Sequence, residues 1–321
     1  MDVRLLVTGG AGFIGSAFIK LMLTNHPDWK ITNLDALTYA GNLFNLKEIE
    51  ENENYKFVHG NVCDKILVED LIKDHDYIVN FAAETHVDRS IEASKDFIQT
   101  NINGVHNILE ACRKYGIKRF VQISTDEVYG SIEGDGYFYE TTPLSPNSPY
   151  SASKASADLL TLAYFKTYNM PVLITRCSNN YGPNQYPEKL IPFFIKRILN
   201  NQKVPVYGDG LNVRDWLYVD DHCRAIEQVL LHGQIGEVYN IGGHNEKTNL
   251  EITRIILKEL GQDDSMLEFV KDRLGHDRRY AISNDKISKE LNWQPIVDFE
   301  TGIKSTINWY LNNKEFLERN D

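Results

Sequence analysis

Three glycines at regular spacing lie near the start of the chain, in the segment LLVTGGAGFIGS between a strand-like run and a helix-like run. Gly9, Gly12 and Gly15 form a G-x-x-G-x-x-G pattern. Glycine at these positions permits a tight turn, close approach of a pyrophosphate to the backbone, and close packing of helix on strand. The helix N-terminus also presents free N–H groups to phosphate oxygens. The pattern predicts a dinucleotide site, although such turns between strand and helix also serve purely structural ends.

An acidic residue follows the glycines at the spacing that a dinucleotide site requires. Asp35 ends the next strand-like run, 20 residues beyond Gly15, where a carboxylate accepts a hydrogen bond from a ribose 2′-hydroxyl and repels a 2′-phosphate. The residues that follow it, Ala36, Leu37 and Thr38, include no arginine. These features favour NAD over NADP; the alternative is that Asp35 only caps a strand end.

The first 176 residues alternate between strand-like and helix-like patterns. Short apolar runs occur at residues 4–8, 30–35, 55–59, 77–80, 119–124 and 172–176. Stretches with helical spacing lie between most of them, including residues 97–115 and 150–168. This alternation predicts an α/β fold with a doubly wound, parallel Rossmann sheet. Asn61 and Val62 after the third strand, and Phe81 to Ala83 after the fourth, fall where strand ends line an adenosine.

The pattern loosens after residue 176, where the segment SNNYGPNQYPEKLIP is rich in Asn, Pro and Tyr. We therefore predict an NAD-binding domain over residues 1–176 and a smaller, mainly substrate-binding domain over residues 177–321. The run EVYNI at residues 237–241 reads as a strand that returns to the main sheet, so the two domains are expected to be partly interleaved.

Composition excludes several classes of protein. The chain has 321 residues, 42% of them hydrophobic, and a formal net charge of −11, which disfavours nucleic acid as a partner. No apolar run approaches the roughly 18 residues of a membrane span, and the N-terminus lacks a signal-peptide pattern. Four widely spaced cysteines without a C-x-x-C pair argue against disulfides and zinc. We expect a cytoplasmic enzyme without a metal.

The strand-like run VQISTDEVYG ends in Thr125 and two adjacent carboxylates, Asp126 and Glu127, and a Tyr150-x-x-x-Lys154 pair follows. Residues four apart share a helix face, so Tyr150 and Lys154 are expected to point together at the carboxyl end of the sheet. A lysine ammonium and an oxidised nicotinamide ring would lower the pKa of the phenol toward neutrality. Tyr150 would then remove a hydroxyl proton, with Thr125 bonded to the reacting oxygen. The alternative is a tyrosine and a lysine on an exposed helix face.

The two carboxylates add chemistry that a simple dehydrogenase does not need. Oxidising an alcohol to a ketone acidifies the neighbouring C–H, so a carboxylate there can act as base. A protonated carboxyl can then assist departure of hydroxide from the next carbon. The acid must have a raised pKa, and burial beside a like-charged neighbour would raise it. The alternative is a pair of solvated acids in a surface turn.

Several segments together carry a resemblance to a known family: TGGAGFIGS, NFAAETHVDRS, STDEVYG, YSASKA, NNYGPNQYPEKLIP, VRDWLYVDD and GHDRRYA. They resemble the extended short-chain dehydrogenase/reductase superfamily and, more closely, its dTDP-glucose 4,6-dehydratase family. The Thr125-Asp126-Glu127 run is the most discriminating part, because related epimerases and decarboxylases usually lack the acid pair.

The resemblance implies a reaction and the role of each catalytic residue. Tyr150 is the base for oxidation at C4 of dTDP-glucose, Glu127 the base at C5, and Asp126 the acid for loss of the C6 hydroxyl. NAD is tightly bound and regenerated in each turnover, and the product belongs to deoxysugar biosynthesis of the dTDP-rhamnose type. The helices at residues 97–115 and 150–168 are expected to pair two subunits into a homodimer.

The resemblance also implies binding residues for both ligands. Those for NAD are Phe13, Ile14, Asp35, Ala36, Leu37, Thr38, Asn61, Val62, Phe81, Ala82, Ala83, Glu84, Thr85, Thr100, Tyr150, Lys154 and Asn180. Those for the nucleotide sugar are Thr85, Thr125, Asn179, Lys189, Leu190, Pro205, Val206, Tyr207, Arg214, Asn249, Asp272, Arg273, Leu274, Gly275 and His276. Arg214 is expected to grip the pyrophosphate, its alternative being a salt bridge to Asp215 or Asp220.

The chain departs from the family's pattern at two positions. Asn61 stands where an aspartate is expected, which bears on a contact to adenine, and Leu274 replaces a proline in the DRPGH loop. The alternatives to a dehydratase are a 4-epimerase or decarboxylase of a UDP-sugar, which has no use for a protonated Asp126, and a silent dinucleotide-binding regulator. The intact Tyr150, Lys154 and glycine motif argue against the regulator.

Overall fold

The computed structural model describes residues 3–272 and 275–318. Its strands are β1 (Arg4–Thr8), β2 (Lys30–Asp35), β3 (Tyr55–His59), β4 (Tyr77–Asn80), β5 (Arg119–Thr125), β6 (Val172–Cys177), β7 (Asn179–Tyr181), β8 (Val204–Tyr207), β9 (Val213–Tyr218), β10 (Val238–Ile241), β11 (Glu246–Thr248) and β12 (Leu267–Val270).

The helices alternate with these strands. They are α1 (Phe13–Asn25), α2 (Lys65–Ile72), α3 (Val87–Glu92), α4 (Lys95–Phe97), α5 (Val105–Tyr115), α6 (Pro149–Tyr168), α7 (Leu190–Leu199), α8 (Val219–His232), α9 (Asn249–Glu259), α10 (Asp285–Leu291), α11 (Phe299–Asn312) and α12 (Lys314–Leu317). A π-helical segment, Ile98–Gly104, joins α4 to α5, and short 3-10 helices span Leu43–Ile49, Asp126–Tyr129 and Asp264–Met266.

Seven strands form one sheet in the order β10-β6-β5-β4-β1-β2-β3. Every pair in it is parallel. The chain first builds outward from β1 to β3 and then crosses to β4 on the other side, so the strand order reverses between β1 and β4. Doubly wound sheets bind ligands at such a switch point, beyond the carboxyl ends of the strands. The predicted Rossmann fold is confirmed.

Two apolar layers cover the faces of this sheet, because successive side chains of a strand point in opposite directions. Leu5 and Val7 pack with helices α1 and α8 on one face. Leu6, between them, belongs to the opposite layer with helices α2, α5 and α6. Since both faces are buried, the strands read as nearly continuous apolar runs rather than as alternating ones.

The C-terminal part of the chain forms a second core beside the sheet. Strands β11, β9 and β7 make a three-stranded sheet, and β12 pairs with β8. Helices α7, α9 and α11 supply its apolar layer, which includes Ile195, Ile256 and Ile303. Strand β10 leaves this region and pairs in parallel with β6. The predicted returning strand is therefore present, beginning at Val238, while the domain boundary at residue 176 stays a prediction.

No helix among the described residues combines the length and the apolar character that crossing a bilayer requires.

Candidate active site

One cavity of about 580 Å³ lies at the carboxyl ends of the central strands. It is lined by the turns that follow the strands β1 to β6, together with α6 and the segment before α7. It receives Gly9, Gly12, Phe13, Ile14, Gly15, Asp35, Ala36, Thr38, Asn61, Val62, Phe81, Ala82, Ala83, Glu84, Thr85, Thr100 and Asn180 from the predicted cofactor set. It also receives all five predicted catalytic residues, Thr125, Asp126, Glu127, Tyr150 and Lys154.

The glycine turn at one end of the cavity is built so that only glycine fits. Gly9 has a φ of +71°, and a Cβ atom there would lie 2.6 Å from the backbone nitrogen of Ala82. A Cβ atom on Gly15 would collide with the carbonyl oxygen of Gly9. Helix α1 then begins after Gly12 with no side-chain cap on its first N–H groups. The first turn of α1 therefore leaves backbone N–H donors at the cavity, as a pyrophosphate requires, whereas the N–H groups of Gly9 and Gly12 bond within the protein.

Asp35 lies at the end of β2 with only 8% of its surface exposed. Its Oδ2 accepts a hydrogen bond from the Ala11 backbone N–H over 2.8 Å, and its Oδ1 accepts one from Leu37 N–H over 2.8 Å. Burial raises the pKa of this carboxyl, and the two backbone donors counteract the rise. A carboxylate has about four lone-pair sites, so capacity remains for a ribose hydroxyl. None of the described residues that line the cavity is an arginine.

Leu37 and Asn61 differ from the simple prediction. Leu37 is not among the lining residues. Its N–H donates to Asp35 Oδ1, and its backbone adopts a φ of +49°. Asn61 does line the cavity, and its side-chain oxygen accepts a bond from the Cys63 N–H over 2.9 Å. The Asn61 amide oxygen thus closes a local turn, as an aspartate oxygen would. Its NH₂ group supplies donors that an aspartate lacks.

The acid pair follows directly from β5 in a single 3-10 turn. Thr125 caps this turn: its Oγ1 accepts a bond from the Glu127 N–H over 3.3 Å and donates to Asp126 Oδ1 over 3.3 Å. Threonine is a favoured N-cap because its hydroxyl satisfies a free N–H of the first turn. The turn rotates the two neighbouring acids into different surroundings, with Asp126 1% exposed and Glu127 half-buried.

Burial raises the pKa of Asp126 well above its ordinary value, and the charges of Glu127 and Asp215 raise it further. Arg214 and the hydrogen bond from Thr125 act in the opposite direction but are smaller. The Oδ2 atom of Asp126 has no hydrogen-bond partner among the described residues. When the carboxyl is protonated, an O–H on this oxygen has no protein acceptor and can donate to a bound substrate.

Tyr150 and Lys154 lie one turn apart near the start of α6, with 8% and 5% of their surfaces exposed. Burial raises the pKa of Tyr150, and the charge of Glu127 raises it further, while a hydrogen bond with Thr125 lowers it. Burial also lowers the pKa of Lys154, whose Nζ donates to the Ile123 carbonyl over 2.6 Å. The surrounding protein thus opposes the lowering of the phenol pKa that the sequence predicted, so the lysine ammonium and an oxidised nicotinamide must overcome it.

Sequence reasoning missed two residues that hold the cavity wall in place. Asn101 lies in the π-helical segment and binds both the backbone of Glu84 and, over 2.8 Å, the hydroxyl of Ser153. His222 on α8 is completely buried and its Nδ1 lies 2.9 Å from Asn180 Oδ1. Burial lowers the pKa of His222 to about 3. The π-helical turn leaves no periodic signal in the sequence, and His222 reads as an ordinary helix residue.

The predicted sugar-nucleotide residues fall into two groups. Thr85, Thr125, Asn179 and Lys189 line the cavity, and Lys189 Nζ donates to the Thr85 carbonyl over 3.3 Å. The remaining described ones are not lining residues but lie in the C-terminal region. They are Leu190, Pro205, Val206, Tyr207, Arg214, Asn249, Asp272, Gly275 and His276. Arg273 and Leu274 are outside the described residues.

Part of the second group is gathered around one aromatic ring. The rings of Tyr207 and His276 meet edge to face at 6.3 Å, and His276 Nδ1 lies 2.6 Å from Asp272 Oδ1. Tyr207 is 40% exposed. This group therefore offers an open aromatic face and a polar rim, the features that suit a nucleobase.

Arg214 lies between this group and the acid pair. Its guanidinium donates to the carbonyls of Val213 and Asp277 and stacks 4.3 Å from the ring centre of Tyr280. Asp215, suggested above as a salt-bridge partner, accepts bonds from the Gly243 and Asn245 N–H groups over 2.7 Å each.

No group of three or more His, Cys, Asp or Glu side chains that could hold a metal ion occurs in the described part of the chain.

Comparison with known proteins places this site in a class. The family model described as GDP-mannose 4,6 dehydratase matches residues 6–306. A dTDP-glucose 4,6-dehydratase of Streptomyces niveus is 51% identical over 98% of this chain and 95% of its own length. The low-salt glycan biosynthesis protein Agl12 of Haloferax volcanii is 53% identical over 98% of this chain and all of its own.

A solved structure shares the whole fold. The crystal structure of DesIV, a dTDP-glucose 4,6-dehydratase from Streptomyces venezuelae with NAD and TYD bound, superposes with a TM-score of 0.96 at 49% identity. The match covers 98% of this chain and 99% of that one. With a Rossmann sheet, a Tyr-x-x-x-Lys pair and an acid pair in one cavity, the class is that of the nucleotide-sugar 4,6-dehydratases. Within that class, the chain belongs to the dTDP-glucose 4,6-dehydratase family.

Proposed function

We propose that this protein converts dTDP-glucose into dTDP-4-dehydro-6-deoxy-glucose and water. The observation that carries the proposal is the division of the acid pair: Asp126 is buried with a raised pKa, while its neighbour Glu127 is half-buried in the same cavity. Elimination of water needs one acid and one base on adjacent carbons. The cavity also contains Tyr150 and Lys154, which suit oxidation at C4.

The residues at the other end of the cavity fit NAD. The first turn of α1 leaves its uncapped backbone N–H groups for the pyrophosphate, and the Asp35 carboxylate retains capacity for a ribose hydroxyl. NAD, when bound, takes up the hydrogen of C4 with its electron pair and returns them to C6, so no net redox change results.

Oxidation at C4 falls to Tyr150 and Thr125. The phenol oxygen of Tyr150 takes the proton of the C4 hydroxyl, and Thr125, whose hydroxyl interacts with the same phenol, orients the reacting oxygen. The ammonium of Lys154, anchored on the Ile123 carbonyl, lowers the energy of the phenolate that this step requires.

Elimination across C5 and C6 falls to the acid pair. Once C4 is a ketone, the Glu127 carboxylate removes the acidified proton from C5, and C5 takes up a proton again when C6 is reduced. Asp126 delivers its own proton to the departing C6 hydroxyl, which leaves as water. Burial suits Asp126 to this step because it disfavours the charged form, so the carboxyl is held protonated.

We propose further that the nucleotide part of the substrate occupies the C-terminal region. Arg214 supplies a cation for the pyrophosphate, and the exposed ring of Tyr207 supplies a stacking surface for the base. Lys189, which lines the cavity beside Thr85, is placed to bind between sugar and phosphate.

A product assay tests the proposed function. Purified protein incubated with dTDP-glucose should form a 4-keto product, detected by its absorbance in alkali and identified by mass as substrate less one water. Parallel incubation with UDP-glucose tests the epimerase alternative. Turnover of UDP-glucose to UDP-galactose, with no loss of water from dTDP-glucose, would contradict the proposal.

We also propose that two copies pair through α5 and α6, as the resemblance implied. Ile98, Tyr115, Leu159 and Tyr168, which lie on or beside these helices, are 40 to 59% exposed, and this supports an apolar contact. Sedimentation should give twice the chain mass, and Leu159→Glu should reduce it to one chain. The rhamnose-type pathway and the cytoplasmic location stay predictions.

A further inference from the structure

A third ionisable residue shares the helix face of Tyr150 and Lys154. Asp158 lies four residues beyond Lys154 on α6, where side chains face the same way with about 5–6 Å between Cβ atoms. Its side chain has no exposed surface. A carboxylate in such a position destabilises the fold unless it is paired, so its presence calls for a reason. The catalytic steps above do not use it.

Arg176 pairs with this carboxylate from the neighbouring strand. Arg176 lies on β6 and its Nε donates to Asp158 Oδ2 over 2.9 Å. The other side of the guanidinium donates to the Tyr129 hydroxyl over 2.8 Å, and that hydroxyl donates to Asn240 over 2.8 Å. The guanidinium therefore holds Asp158 through its Oδ2 atom and is itself held by the Tyr129 hydroxyl. Burial raises the pKa of Asp158, and the charge of Arg176 is the largest influence that lowers it.

Lys154 lies one turn before Asp158 on α6, is buried like it, and is the second cation whose charge acts on that carboxyl. Its Nζ bond to the Ile123 carbonyl orients the ammonium but supplies no negative charge. Burial lowers the pKa of Lys154, and the Asp158 carboxylate is the largest influence that raises it, followed by Cys177 on β6. Tyr150 lies one turn away on α6, and the charge of Glu127 raises its pKa.

We propose that Asp158 is a positioning residue for the dehydratase reaction: its carboxylate keeps the Lys154 ammonium charged, and through it stabilises the Tyr150 phenolate. The proposal rests on the proposed function, because the ammonium matters only where Tyr150 works as a base. Arg176 has two effects. It compensates the burial of Asp158, and it prevents the carboxylate from drawing the ammonium away from Tyr150.

The charge state of Lys154 can be measured without turnover. The full-length, NAD-containing protein is labelled with ¹³Cε-lysine and titrated by NMR, and Lys154→Met identifies the resonance. In Asp158→Asn, Lys154 should titrate about one pH unit or more below the wild type, because a nearby opposite charge is lost and Arg176 stays. Asp158→Glu keeps the charge and should titrate close to the wild type.

A double variant separates charge from packing. Asp158→Asn with Arg176→Gln removes both charges and leaves no unpaired buried ion, so it also serves if Asp158→Asn alone fails to fold. Lys154 should then titrate between the single variant and the wild type. A wild-type titration in Asp158→Asn or in the double variant would overturn the proposal. So would a double variant that titrates as low as the single one or lower.

The pH dependence of C4 oxidation supplies the functional half of the test. In a single turnover with dTDP-glucose, the acidic limb of the rate should move to higher pH in Asp158→Asn, because the phenol of Tyr150 loses the support of a neighbouring cation. A uniform loss of rate with an unmoved limb would overturn the positioning role. If the wild type itself fails to turn over dTDP-glucose, the proposed function falls, while the lysine titration still decides the role of Asp158.

Discussion

Asp126 and Glu127 are neighbours in sequence, yet the structure gives them different chemistry. The 3-10 turn that Thr125 caps sends Asp126 into the protein, with 1% exposure, and leaves Glu127 half-buried at the cavity. Desolvation penalises a charge far more than a neutral acid, so burial alone separates the two roles. A difference in burial between adjacent residues therefore makes one acid a proton donor.

Replacing each acid separately should stop the reaction at a different step. Asp126→Asn keeps the shape but has no proton to transfer, so it should still oxidise C4, and the absorbance of the reduced cofactor should rise and persist after substrate is added. The rate of product formation should fall at least about 100-fold, which is the range expected when a general acid is lost.

Glu127→Gln is the matched variant, because it also replaces a carboxyl with an amide in the same turn. It should abolish exchange of the C5 hydrogen with heavy water, measured by NMR of recovered sugar. If Asp126→Asn dehydrates at the wild-type rate, or if Glu127→Gln retains C5 exchange, the assignment of acid and base is wrong.

His222 should make the stability of the protein depend on pH. Its pKa is lowered to about 3 by burial, from a value of 6.5 in an unfolded chain. Between these values the unfolded state binds one more proton, so stability is fully present above pH 6.5 and falls as the solution is acidified. At pH 5 the loss amounts to about 2 kcal/mol.

His222→Gln removes this titration while keeping a donor for Asn180. Urea unfolding at pH 7.5 and at pH 5 should therefore show that the wild type loses about 2 kcal/mol more than the variant between the two. Equal losses would mean that His222 is not the buried neutral group described here.

At the residue scale, motifs were enough to predict the catalytic side chains, but the residues that surround those side chains could not be predicted. Thr125, Asp126, Glu127, Tyr150 and Lys154 were selected from motifs, and all five line one cavity. The pKa of Tyr150 could not be predicted in the same way. It depends on burial and on how near the charge of Glu127 lies, and both are set by segments that are distant in the sequence and pack against α6. The role proposed for Asp158 could not be predicted for the same reason, because its partner Arg176 lies on strand β6.

Among the elements, the turn between β1 and α1 has a strict requirement for glycine. Gly9→Ala should lower the free energy of unfolding of the cofactor-free protein by more than about 2 kcal/mol, because the left-handed backbone costs an alanine about 1–2 kcal/mol and its Cβ also strikes the Ala82 backbone. Denaturant unfolding measures this loss.

Gly116→Ala is a matched control for that change. Gly116 has a φ of +73°, close to that of Gly9, but a Cβ there would meet nothing within 4 Å. It should therefore cost only the backbone penalty, about 1–2 kcal/mol. Equal losses in the two variants would show that the close approach to Ala82 contributes nothing.

The central strands could be predicted from the sequence, whereas the short strands of the C-terminal region could not. The bounds of β1 to β4 match the apolar runs in the sequence, and β1, β2 and β4 are buried on both faces. Strands β7, β9 and β11 are three to six residues long and pair across distant parts of the chain, so their segment was expected only to be rich in loops. The stretch at residues 97–115 was predicted as one helix, yet Ile98–Gly104 is π-helical. That turn holds Thr100 and Asn101 against the cavity.

At the scale of the whole molecule, the two parts of the chain meet over the cavity. Arg89 on α3 lies 4.1 Å above the ring of Tyr39, and its guanidinium pairs with Glu188 over 3.2 Å. Tyr39 also meets Tyr186, a lining residue, edge to face at 5.5 Å. These contacts join the loop after β2 to the segment before α7. A cavity bordered by both parts of the chain suits a reaction in which the hydrogen taken from the sugar must be returned before anything leaves.

The central claim is that one cavity oxidises C4, eliminates water and reduces C6 without releasing an intermediate. Its most direct test uses dTDP-glucose carrying deuterium at C4, incubated in ordinary water, with the product examined by NMR. We expect the deuterium at C6 of the 4-keto product and a hydrogen from solvent at C5. Deuterium that remains at C4, as in an epimerase, or that is lost to solvent would contradict the account.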